Sequence, residues 1–568
     1  MPPRTPRTKT TARTTAADSV TTVIRIVFTA LLLDILAFTI ILPLFPRLLQ
    51  FYRDSEHGDQ TSLLAWSLSR LTEFQSMIGL DDNKTASGAN PIKRPPKMDI
   101  VLLGGALGSL FSVLQFVASP IIGKLSDVMG RRRVLLISML GNLISCGVWL
   151  FSSSFELFVL SRIIGGLSEG NVQLSIAMIS DITTPATRSK GLAMVGIAFA
   201  IAFTIGPALG AYFANKDLVQ LFPGLAQFGL HPFSGSALLA LVLLTIESLY
   251  LYAKLPETNS ESWRLAVQQT AGEEKKSKTS PPTSSASGTA ANKDIKKVIA
   301  MDPAEIMQLQ HSYLARLSFT HFAHLFLFSG MEFTLTFLTF HLFDFSHMQQ
   351  GALLGYIGIM SSLLQGGYVR RRAHKVGEKR MVLQGMMAAA FGLGCIALVS
   401  GDPSASTILD DKLGQQNISL LRTIVLYLDA QDWSRKTRMW GLYAGATGLA
   451  VTSATVVNCL TSLASLVCDM GLDMDEDETA SETSSEDKNS AYQPIGKGLA
   501  LGRFRSWGQL GRAAGPIAAC SLYWRVGPLV CYGAASLAVT AVALVAGRVL
   551  PEVRKLPIRT RTSAKKTQ

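Results

Sequence analysis

Gly123-Lys124-Leu125-Ser126-Asp127-Val128-Met129-Gly130-Arg131-Arg132-Arg133 decides how the chain is read. It lies between two apolar runs, about Ile100 to Ile122 and Val134 to Phe151. Each is long enough to cross the hydrocarbon core of a bilayer as a helix, which takes roughly 20 residues. A short basic link with two glycines cannot rest in lipid. It must turn at an aqueous face, and its Lys and Arg place that face in the cytoplasm. The orientation of every other segment follows from this point.

Composition agrees. Of 568 residues, 48% are hydrophobic and only 16% charged, whereas soluble domains are about 25% charged. Mean hydropathy is +0.29. The 47 glycines suit closely packed membrane helices. The net charge of +13 sits in loops beside apolar runs, which reads as a bias of the cytoplasmic side. No recognition module accompanies it, so nucleic acid is not an expected partner. The six cysteines lie in or beside apolar segments without metal-ligand spacing, so neither a metal site nor a disulfide framework is expected.

Apolar runs recur at about 24–49, 100–122, 134–151, 157–179, 191–213 and 236–255, and again at about 314–342, 351–369, 381–400, 440–466, 504–523 and 526–549. The fold class is therefore an all-helical membrane protein with twelve transmembrane helices in two pseudo-symmetric six-helix bundles. Residues 1–23 form a cytoplasmic tail, 24–255 the first bundle, 256–311 a polar cytoplasmic linker, 312–549 the second bundle and 550–568 a second cytoplasmic tail. The linker is rich in Ser, Thr, Lys and Glu and cannot form a core. Within the second bundle, 469–496 is an acidic loop, read as solvated. Residues 61–80 are weakly amphipathic and read as a surface helix. Gly366 to Arg372, with Gly377-Glu378-Lys379-Arg380 behind, is a second basic link placed like the first but lacking an Asp at the position of Asp127.

With the N-terminus inside, Arg131 to Arg133, Arg188, Lys190, Arg370 to Arg372, Arg503 and Arg505 fall on the cytoplasmic side. The sequons at Asn83 and Asn417 fall in outer loops and are possible glycosylation sites. The plasma membrane and a vacuolar or other endomembrane are both compatible with this pattern.

Charge in hydrocarbon is costly and marks a water path or a substrate site. Four charges inside spans stand out: Asp34 in the first, Arg162 and Glu169 in the fourth, Glu332 in the seventh. Arg162 and Glu169 are seven residues apart, on one helical face if span four is unbroken. Asp34, Glu169 and Glu332 are expected to bind protons or substrate, with Arg162 as their charge partner. In span five, Gly206, Pro207 and Gly210 allow a kink and close helix approach. Gly123 and Gly130 allow a tight turn, and Asp127 can accept from Arg131 or from the start of a neighbouring helix. Asp181 and Arg188 can join the same network.

The link's pattern, Gly123, Asp127, Gly130, Arg131 and Arg132, resembles the loop between helices 2 and 3 of major facilitator superfamily transporters. Arg162-Ile163-Ile164-Gly165-Gly166, Gly206-Pro207-Ala208-Leu209-Gly210 and Pro256-Glu257-Thr258 resemble further patterns of that family. The stretches Leu33 to Phe38, Pro43 to Pro46 and Phe326 to Thr334 are similar to the tetracycline-transporter-like group that includes major facilitator domain-containing protein 10. The resemblance implies alternating access, a latch at the first basic link, and organic-anion or drug export; its helix-5 pattern is associated with exchangers.

The expected function is secondary active transport: proton-coupled export of an amphipathic organic solute by a monomer in the lipid bilayer, with no cofactor and no enzymatic activity. An uncoupled facilitator of a sugar or metabolite and a non-transporting receptor or scaffold are the alternatives.

Overall fold

The computed structural model describes residues 9–41, 44–56, 60–77, 98–184, 187–214, 229–259, 263, 303–345, 347–401, 434–470 and 496–552. Both sequons, the acidic run beyond Met470 and residues 264–302 lie outside them. Among the described residues every regular element is helical.

The first half holds α1 (Lys9–Thr39), α2 (Phe45–Ser55), α3 (Leu63–Met77), α4 (Met98–Met129), α5 (Arg131–Leu150), α6 (Phe155–Ser168), α7 (Asn171–Ile182), α8 (Arg188–Ala214) and α9 (Ser234–Lys254). The second holds α10 (Pro303–Phe343), α11 (His347–Leu363), α12 (Arg370–Val376), α13 (Glu378–Val399), α14 (Arg435–Cys468), α15 (Lys497–Val526) and α16 (Pro528–Val549). Ten helices among the described residues are long and apolar enough to cross a membrane. The α6–α7 pair and α15 are not among them; the pair is broken at Glu169 and Gly170, and α15 is rich in Gly and carries Lys497, Arg503, Arg505, Arg512 and Arg525. Counting both gives the twelve segments of the expected fold.

Each half has its own apolar core. One gathers residues between Val23 and Leu255. The other gathers mainly residues between Ile306 and Leu550. Large apolar side chains such as Leu249, Phe391, Leu537 and Leu544 point outward, exposed, as a lipid-facing surface requires. The halves meet where α4 runs along α15 and α8 along α11. Small residues permit that approach: a Cβ on Gly123 would strike the Gly498 backbone, and one on Gly502 the Ser119 carbonyl.

Several sequence expectations change. The first basic link is almost wholly helical: α4 runs to Met129, and the turn is the single residue Gly130, at φ +94°. That backbone region is open chiefly to glycine. The second link behaves alike: Gly366 to Arg372 stays helical, with a π-helical stretch at Leu364–Val369, and the turn is Gly377 at φ +92°. Gly377 is thus the true counterpart of Gly130. Helix α10 begins at Pro303, inside the stretch read as linker. Span four is not continuous: α6 ends at Ser168, Glu169 and Gly170 are non-helical, and α7 starts at Asn171. Ser-Glu-Gly interrupts the apolar run there. At the break the Asn142 and Asn171 side chains donate to the carboxylates of Glu169 and Asp34. The surface helix expected within 61–80 is present as α3, with Trp66 exposed.

Candidate functional site

The first part of the site is an ion network at the basic face. Gly130 turns the chain so that Arg131 enters α5 beside the last turn of α4. The Arg131 guanidinium, 2% exposed, reaches Asp127 at 2.8 Å and Asp181 at 3.1 Å. Asp127 also accepts the backbone N–H groups of Gly498 and Leu499, at 2.8 Å each. These belong to the first turn of α15, whose dipole favours an anion. The start of α5 is served by Glu257, which accepts from the N–H groups of Arg131 and Arg132 at 3.0 and 3.1 Å. Lys497 sits 3.5 Å from Asp181 and 2.8 Å from Asp469. Arg188 pairs with Asp469 and donates to the carbonyls of Ser180, Thr183 and Ser465. Burial pushes the Asp469 carboxyl up, but Arg188 and Lys497 together hold it below its ordinary value. Glu378, the first residue of α13, accepts from Ser189 at the start of α8.

Sequence reading named Gly123, Asp127, Gly130, Arg131, Arg132, Asp181 and Arg188 for this face. The structure brings Asp127, Arg131, Asp181 and Arg188 together, while Arg132 turns outward to the Tyr252 carbonyl. Asp469, Lys497, Glu257 and Glu378 were not anticipated in it. Asp469 opened what was read as a solvated acidic loop, and its signal was only that it directly follows the apolar run of α14. The network joins the two halves on one side of the molecule.

The second part is a cavity of about 190 Å³ between the halves. Leu501, one turn along α15 from Lys497, and Thr461 of α14 line it close to the ion network. Its charged lining residues are Arg505 and Arg512, both on α15. Gln173, Gln365, Asn458 and Gln509 supply amides; Ile176, Phe199 and Phe504 supply apolar surface. Arg505 Nε is buried without a hydrogen-bond partner. His321 stacks on Phe504 with ring centroids 4.3 Å apart, and its Nδ1 meets the Phe504 carbonyl at 3.2 Å. Arg503 and Arg505 were read together as cytoplasmic-side charges. Arg505 lines the cavity.

Asp34, Glu169 and Glu332 are not among the residues that line this cavity, and Glu332 is exposed. Asp34, 4% exposed, accepts from Asn171 Nδ2 at 2.8 Å. Glu169, at the break, accepts from Asn142 Nδ2 at 3.3 Å. The charged neighbours of Asp34 are Glu169 and Arg505, and Glu169 likewise faces Arg505. Glu332, on α10, faces Arg512. Arg162 is not their partner. It lies over the rings of Trp149 and Phe158, 5.5 Å from each centroid, and its ionisable neighbours are Cys146 and Tyr52. The break at Glu169 removes the shared helical face that would have aligned the two.

Gly206 and Gly210 hold α8 against α1: a Cβ on Gly206 would meet the Thr39 hydroxyl, and one on Gly210 the Ile40 carbonyl. Pro207 denies the Phe203 carbonyl its helical N–H. One residue away, the Thr39 hydroxyl donates to the Ala202 carbonyl at 3.1 Å.

Among the described residues no group of His, Cys, Asp or Glu is arranged to hold a metal ion.

A family model described as Major Facilitator Superfamily matches residues 27–467. Major facilitator superfamily domain-containing protein 10 of Mus musculus is 33% identical over 511 residues, covering 90% of this chain and 89% of the relative. The crystal structure of the human organic anion transporter MFSD10 (TETRAN) matches with a TM-score of 0.62 and 29% identity, covering 93% of this chain and 99% of that one. Multidrug resistance protein 1 of Bacillus subtilis is 31% identical over 176 residues, 30% of this chain and 42% of the relative.

Proposed function

Because the chain belongs to the major facilitator superfamily, a family of membrane transporters, we propose that it carries amphipathic organic anions across the bilayer by alternating access, coupled to protons. The reading rests on one observation: the charges lining the interdomain cavity are the guanidinium groups of Arg505, faced by buried Asp34 and half-buried Glu169, and of Arg512, faced by the exposed Glu332. The amides and the rings around them suit a solute that is part polar, part apolar. The MFSD10 relatives, one of them titled an organic anion transporter, support the same solute class.

The coupling follows from the charges. While Asp34, Glu169 and Glu332 are ionised, they neutralise the field of the two arginines. Protonation frees that field for a bound anion, so proton and anion bind together. The ion network at the basic face is the latch that joins the halves while the cavity faces away from the cytoplasm, with both termini on the cytoplasmic side. A second reading, export of the solute in exchange for protons, is favoured by the Gly206-Pro207-Ala208-Leu209-Gly210 pattern. The test is uptake of carboxyfluorescein into proteoliposomes with the external side acidic, neutral or made equal by an ionophore. Co-movement gives faster uptake with the external side acidic. Uptake driven by acid inside favours exchange, and uptake indifferent to the gradient overturns proton coupling.

A further inference from the structure

One buried carboxyl takes part in neither the latch nor the cavity. Glu247, in α9, is 1% exposed, and its Oε2 has no hydrogen-bond partner among the described residues. Helix α9 packs on α1, α5 and α8. The charged groups facing Glu247 are Asp34 from α1 and Glu169 from the α6–α7 break. Helix α5 carries no ionisable side chain between Arg133 and Cys146, and α8 none between Lys190 and Tyr212. Arg132 meets α9 near one end, at Tyr252, and Cys146 near the other, at Ala237.

Hydrogen-bond accounting makes this cluster unusual. The amide N–H groups of Asn142 and Asn171 are given to Glu169 and Asp34. Their Oδ1 atoms are buried and lack donors, as does Glu247 Oε2. The middle of the first half therefore holds a surplus of acceptors. A carboxylate only accepts, whereas a carboxylic acid also donates one O–H. Three carboxyls without protons would leave the buried acceptors unmet and set three like charges against one cation, Arg505, which neighbours Asp34 and Glu169 but not Glu247.

We propose that Glu247 is a proton-binding residue that shares its proton with Asp34 and Glu169, a role that deepens the proton-coupled reading above. Glu247 and Asp34 share no hydrogen bond in this arrangement, so a side-chain rotation must first join them; once Asp34 has released its proton toward the cavity, the Glu247 O–H bond breaks and an O–H bond forms on the Asp34 carboxylate. Glu247 becomes the ionised member and takes a proton again when the cluster is next reached by water. The three carboxyls are thus never all ionised together.

The test is infrared spectroscopy of the full chain in lipid at neutral pH, reading the C=O band of protonated carboxyl groups. Glu247→Gln should lose about one carboxyl's share of that band while its thermal midpoint stays near the parent's. The triple variant Asp34→Asn, Glu169→Gln, Glu332→Gln should keep a protonated band, and that variant decides the matter if Glu247→Gln does not fold. An unchanged band in Glu247→Gln, or no band in the triple variant, overturns the proposal. No solute is involved, so a parent protein that moves no carboxyfluorescein would overturn the transport reading and leave this result standing.

Discussion

Asp127, at the end of α4 in the first half, accepts the backbone N–H of Gly498, in the first turn of α15 in the second half, at 2.8 Å. The same carboxylate accepts from Leu499 and pairs with Arg131. One side chain thus ties the end of α4 to the N–H groups of the first turn of α15, beside the Arg188–Asp469 and Lys497–Asp181 pairs.

Asp127→Asn should open that face. The amide keeps the size but loses the charge in bonds that are charge-assisted, each worth about 1.5–3 kcal/mol. The equilibrium between closed and open basic faces should shift about tenfold or more toward open. Spin labels placed on either side of the face, read as a distance distribution, would report it. An unchanged distribution would deny Asp127 its latch role.

The pH dependence of the latch should follow Asp469. Its carboxyl is held below the ordinary value by Arg188 and Lys497, against the opposing effect of burial. A depressed native value contributes stability that is complete above the ordinary carboxylate pKa, about 4. That contribution is lost as the pH falls through the lower native value. Melting curves taken downward from pH 5 should show the parent losing stability where Asp469→Asn stays flatter. Parallel curves would contradict this.

The cavity arginines should carry anion affinity. Arg505→Ala and Arg512→Ala should each weaken carboxyfluorescein binding about tenfold or more, since each removes a charged hydrogen-bonding group from a partly desolvated site. Arg162→Ala, at a ring-stacked site away from the cavity arginines, should lower the thermal midpoint more than the affinity. Equal affinity across all three variants would place the solute elsewhere.

Close packing of α8 on α1 should be intolerant of bulk. Gly210→Leu puts a side chain against the Ile40 carbonyl, and overpacking of this kind costs about 1–3 kcal/mol. A lowered melting temperature is expected, with Gly108→Leu as a control, because a Cβ there meets nothing within 4 Å. If both variants melt alike, the contact is looser than the backbone geometry implies.

Hydropathy carried most of the fold into the sequence, because a span must be about 20 residues of apolar helix whatever its neighbours are. Asp127, Arg131 and the turn glycine could be read for a local reason: their spacing is fixed by one helix end. The rest depended on tertiary placement. Asp469 lies far along the chain from Arg188, and nothing local marks it as a partner rather than the start of an acidic loop. Arg505 looked like one more basic residue at a span's foot; only the packing of α15 turns it into the cavity. The break at Glu169 was missed because periodicity continues through Ser168-Glu169-Gly170, although a Glu-Gly pair in an apolar run is the signal that could have exposed it. Glu247 carries no local signal in the sixth span, and its isolation appears only when its neighbours' donors are counted.

Anion and proton are expected to occupy the protein together. That joint occupancy is tested most directly by adding carboxyfluorescein to the purified protein in weakly buffered detergent solution and reading proton uptake at matched pH with an electrode. Net uptake is expected on binding, reduced in the variant Asp34→Asn, Glu169→Gln, Glu332→Gln. Binding with no proton change, or with proton release, would contradict it.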